Sequence, residues 1–171
     1  MSLKIKTETG DGNISPVIDT SRLSTHLIRN FLFNPASGTT VDFVADTAKS
    51  GGSSAAKYIT KPIVLANEST ALDVRLSAYV PGTSEVEVFY RLSNADDARN
   101  MHNLVWTPFN TDGSPDTAVA PTDDNVTFRE YQYSGSSLAT FTAFQIKLVM
   151  KGTVSSYPPR VKDLRGIALA V

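Results

Sequence analysis

The chain reads as all-β, an antiparallel two-sheet β-sandwich of jelly-roll-like type with an N-terminal arm. Three observations predict it. After Lys57, apolar and polar residues alternate with period two in one segment after another. Clusters of Pro, Gly, Asn, Asp and Ser interrupt those segments at short intervals. None of the segments carries a convincing helical stripe. With 171 residues and 41% hydrophobic content, the chain can bury one sizeable core without staples.

Three spans organise it: residues 1–33 are an arm, 34–56 a Gly/Ser-rich linker and 57–171 the sandwich. Met1-Ser2-Leu3 reads as an expression-vector start. In the arm, Leu23, Leu27, Ile28, Phe31 and Leu32 follow helical spacing, yet turn-forming and β-branched residues interrupt them and Asn34-Pro35 stops the pattern. Its conformation therefore stays open. With Phe33, these residues are the arm's apolar anchors for a neighbouring subunit, whose contacts would offset the cost of ordering. Residues 50–56, Ser-Gly-Gly-Ser-Ser-Ala-Ala, carry too little apolar surface to bury much and read as flexible.

The sandwich strands follow in order. Residues 58–65 form the first; Pro62 has no N–H, so this strand lies on an edge or breaks there. Next, Leu72, Val74, Leu76 and Ala78 oppose Asp73, Arg75, Ser77 and Tyr79. Pro81-Gly82 then reads as a turn, with positive φ at Gly82, leading into Val86, Val88, Tyr90 and Leu92. The expectation is a hairpin whose outer face brings Asp73 and Arg75 near Glu85, Glu87 and Arg91. Residues 94–103 read as a loop or one short helical turn, Leu104-Val105-Trp106 as core, and 107–125 as a long exposed loop. Strands resume over 128–133 and 141–151, where Phe144, Ile146, Leu148 and Met150 alternate with Gln145, Lys147, Val149 and Lys151. A closing strand sets Ile167, Leu169 and Val171 on one face.

Composition excludes several kinds of function. Sixteen Lys and Arg against seventeen Asp and Glu leave a charge of −1, so no nucleic-acid partner is expected. No apolar run approaches the ~20 residues of a membrane span, and no signal peptide opens the chain. The absence of cysteine removes disulfides, thiolate metal clusters and cysteine nucleophiles. His26 and His102 have no ligand spacing, and no cofactor or metal is expected. Ser134-Gly135-Ser136-Ser137 reads as a turn, not a nucleophile elbow, and no phosphate-cradling glycine loop is present. The chain is expected not to be an enzyme; Glu130 and Asp163 as a hydrolytic pair would rest on the presence of carboxylates alone.

Three clusters remain. Asp112, Asp116, Asp123 and Asp124 share a loop, but Pro115 interrupts any tight ligand spacing, and solvated carboxylates are the plainer reading. Lys151, Arg160, Lys162 and Arg165 are diluted by Asp163, Glu85 and Glu87 into a mixed solvated face. Arg129, Tyr131 and Tyr133 share one face of a strand and are the candidate ligand-binding residues, an exposed platform for a sugar ring.

The order Tyr58-Ile59-Thr60-Lys61-Pro62-Ile63-Val64-Leu65, then residues 72–83 and 86–91, resembles structural proteins of contractile-tailed bacteriophages. The resemblance continues over 128–131, 144–150 and 159–169, and Ile14-Ser15-Pro16-Val17-Ile18-Asp19 looks like the segment that precedes this domain in such proteins. It implies a non-enzymatic virion module of a tail or baseplate. Its partners would be other tail or baseplate proteins, or copies of itself, and its location the virion, or the cytoplasm of a prophage host before assembly. It carries over no catalytic residues. The alternative is a carbohydrate- or receptor-binding module of a phage tail, with a host glycan as ligand.

Overall fold

The computed structural model describes residues 45–54, 56–82, 84–94, 97, 99–122, 124, 126–152 and 158–170, together with the backbone of 25–27. Among the described residues are nine strands: β1 (Thr25–Leu27), β2 (Lys57–Thr60), β3 (Ile63–Ser69), β4 (Ala71–Tyr79), β5 (Ser84–Ser93), β6 (Thr107–Pro108), β7 (Arg129–Gly135), β8 (Phe141–Gly152) and β9 (Arg160–Leu169). The 3-10 turn Met101–Asn103 lies between β5 and β6, in the span read as a loop or one short helical turn. All pairings are antiparallel, in two sheets.

The larger sheet runs β1-β2-β8-β5-β6, with β3 also on β8. β2 and β3 share one edge of the long β8, interrupted at Lys61-Pro62 where the proline offers no N–H. Ile146 N–H and the Gln145 side-chain amide bridge the gap by donating to the Thr60 hydroxyl and carbonyl. The smaller sheet runs β7-β4-β9.

The core lies between the sheets. Leu72, Val74, Leu76 and Ala78 of β4 meet Val86 and Val88 of β5 and Phe144, Ile146 and Leu148 of β8, with Tyr131 and Tyr133 of β7. The alternation in β4, β5 and β8 assigns these inner faces correctly. Sheet packing is fixed by close contacts: Tyr133 OH donates to the Val86 carbonyl at 3.1 Å, so β7 lies over β5. A Cβ on Gly166 would stand 2.8 Å from Ile146 Cδ1, so β9 lies over β8.

The expected hairpin is not formed. β4 is flanked by β7 and β9, and β5 by β8 and β6, so Pro81-Gly82 carries the chain from one sheet to the other. Ser84 N–H closes that turn on the Pro81 carbonyl. Consequently Asp73 and Arg75 lie on the outer face of the small sheet and Glu87 and Arg91 on the outer face of the large one.

The closing strand expected over Ile167, Leu169 and Val171 forms as β9, with Val171 outside the described residues. Ile167 and Leu169 point outward, 42% and 47% exposed, while Val161, Leu164 and Ala168 pack on the core. A one-residue bulge is the cause. The register with β4 slips between Arg75 and Ser77, and Asp163 takes a left-handed φ of 53° there. This brings Val161 and Leu164, of opposite parity, to the same side.

Candidate functional site

Leu27 of the arm lies in β1, which adds to β2 in the register Thr25↔Thr60, His26↔Ile59 and Leu27↔Tyr58. Leu23, Ile28, Phe31, Leu32 and Phe33 lie outside the described residues. The arm thus supplies an outer strand to the large sheet, although residues 28–56 separate it from β2. Beyond the Pro62 break, the neighbouring β3 leaves Ile63 37% and Val64 78% exposed. β9 ends the small sheet with Ile167 and Leu169 exposed.

The expected ligand platform does not exist as an exposed surface. Tyr131 and Tyr133 are core residues, 6% and 0% exposed, and only Arg129 at the strand's end is exposed. Alternation put the two tyrosines on one face correctly, but that face is covered by the large sheet, where the Tyr133 ring meets Phe109 at 6.1 Å. Burial raises the ionisation of both phenols above the usual tyrosine range. Phe109 itself came from a span expected to be exposed; it is buried, and the segment is tied down by Gly113, whose carbonyl accepts from Val88 N–H.

Loop carboxylates organise turns. Asp112 accepts from Ser114 N–H, and Asp124 from Val126 and Thr127 N–H. Asp116 accepts from Ser134 N–H at 3.0 Å. Among the described residues no three carboxylates or histidines gather as metal ligands; Asp123 lies outside them. The basic cluster divides as well. Lys151 pairs with Glu87 at 2.5 Å on the large sheet, while Arg165 meets Glu130 at 3.0 Å on the small one. Arg160 and Lys162 cover the rings of Tyr79 and Phe128.

The most unusual chemistry is on the outer face of the large sheet. Ile59, Lys147 and Phe89 are cross-strand neighbours on β2, β8 and β5, and Arg91 stands opposite Gln145. This face is not solvated. Residues 45–54, within the span read as a flexible linker, fold over it through turns closed by Ala48 N–H to the Ala45 carbonyl and Gly51 N–H to the Ala48 carbonyl. The expectation that residues 50–56 bury little is overturned: Gly51, Ser54 and Ala56 are buried, and so is Asp46 before them. Backbone carbonyls, not apolar side chains, hold it down. Lys147 Nζ donates to the carbonyls of Asp46 and Gly51, and Lys57 Nζ to those of Gly51 and Gly52.

Lys147 is wholly buried, its Nζ 4.3 Å from the Phe89 ring centroid and 5.1 Å from that of Trp106. Loss of water is the largest influence on it and lowers its pKa to about 7; Asp46 opposes the shift and Lys57 adds to it. Arg91 is 4% exposed and packs over Trp106 at 4.3 Å. Its Nε donates to Gln145 Oε1 at 2.7 Å, its Nη1 approaches the Leu104 carbonyl, and its Nη2 lies 3.1 Å from His102 Nδ1. The sequence offered one signal for this site, a Trp and two cations on a polar strand face, and alternation alone reads that face as solvent-exposed.

No family model matches the chain, and neither does any curated protein.

Proposed function

We propose that this chain is a non-enzymatic virion structural module of a phage tail or baseplate, assembled through its sandwich and its N-terminal arm. The observation that carries the reading is β1: an arm strand forms an outer strand of the large sheet at the far end of a long connection. Main-chain pairing at a sheet edge is a general mode of subunit recognition, because the ladder supplies affinity and alternate side chains supply specificity. A strand on a long tether can be exchanged with the same strand of a neighbour at little cost. The exposed apolar residues of β3 and β9 add further contact surface. The resemblance of the strand order to tail proteins gives the reading its biological setting. The partners it implies are other tail or baseplate proteins or copies of this chain.

Substitution within the arm of the full chain tests it. Leu27→Asp with Phe31→Asp should leave the circular dichroism of the sandwich unchanged while the chain no longer joins particles on co-sedimentation. Undiminished incorporation of that variant would overturn the role of the arm. The glycan-binding alternative loses its residues, since Tyr131 and Tyr133 are buried.

A further inference from the structure

Beside β5 an open cleft of about 370 Å³ is lined by three cations, Lys49, Arg91 and Arg99, with Tyr90, Val105 and Leu138 among its apolar walls. Among the described residues its charge is only partly compensated. Arg99 is taken by Asp97 at 2.9 Å. Lys49 has no ion pair among the described residues. Arg91, nearly buried, meets Gln145, the Leu104 carbonyl, His102 and a Trp face, and among the described residues no carboxylate pairs with it. Buried charge is costly without a counter-charge, and guanidinium groups match planar or tetrahedral oxyanions particularly well. The volume is at the lower end of small-molecule sites, and an apolar wall beside cations suits an acid with a compact body.

We propose that this cleft binds a small organic anion of sugar size, whose carboxylate or phosphate supplies the missing counter-charge to Arg91 and Lys49. Arg99 also lines the cleft, its charge shared with Asp97, while Val105, 57% exposed, offers the body of the ligand an apolar contact. The site is separate from the buried tyrosine platform and does not depend on the assembly role proposed above.

Calorimetric titration of the full chain with glucuronate, glucose 6-phosphate and glucose tests the proposal. One or both acids should bind and glucose should not; which acid binds identifies carboxylate or phosphate as the recognised group. Lys49→Gln should weaken the acid by about threefold, as expected for one exposed charge, and Arg99→Gln by a similar factor. Arg91→Gln should abolish binding, but it also disturbs packing on Trp106, so the two surface variants decide the matter. Equal heats for the acids and glucose, or wild-type affinity in both surface variants, would overturn the site.

Discussion

Lys147 is buried on a strand face that alternation assigns to solvent, and its burial depends on a lid built mainly of Gly, Ser and Ala. The lid works because Gly51 and Gly52 take φ of 89° and 80°, which turns their carbonyls toward the lysines. A Cβ on Gly52 would stand 2.5 Å from Asp46 Cα and 2.9 Å from the Ala45 carbonyl. Gly52→Ala should therefore lower stability by about 2 kcal/mol in urea melts, through backbone strain and clash together. The lysine also sets a pH dependence. Folded Lys147 holds its proton less tightly than an unfolded lysine, with a pKa lowered to about 7 from 10.5. Between those values the unfolded chain binds more protons, so stability should rise with pH, at up to about 1.4 kcal/mol per pH unit. Lys147→Met should flatten that rise. Above its pKa the variant should be less stable by about 1–3 kcal/mol, because the Asp46 carbonyl loses its donor. None of this was readable from local sequence, since the donor and its acceptors are brought together only by the fold.

At the scale of elements, the faces of β4, β5 and β8 were readable because each strand buries one side, and period two records which. Strand partners were not. A Pro-Gly turn suits a hairpin and a crossing between sheets equally, and here both edges of β4 are taken by strands distant in sequence, β7 and β9. In β9 alternation puts Ile167 and Leu169 on one face but does not show the single bulge that brings Val161 and Leu164 to the same side and leaves those two exposed. The tyrosines of β7 failed as a binding platform for a related reason: a shared face does not reveal what covers it. Tyr133→Phe checks their structural role. It removes one buried bond to the Val86 carbonyl and should cost about 1 kcal/mol in denaturant melts. A change in sugar binding without a loss of stability would contradict the core assignment.

For the whole molecule, the all-β two-sheet architecture follows from strand count, punctuation and the lack of helical stripes, and these were sufficient before any contact was known. The unusual lid and the attachment of the arm to β2 were beyond sequence, because both join segments separated by long connections. The proposed virion role is tested by antibody labelling of purified phage particles from the source, viewed by electron microscopy. The account predicts label at the tail or baseplate of intact particles, lost with the arm variant. Particles that carry no label, with the chain found only in the soluble fraction of the host, would contradict it.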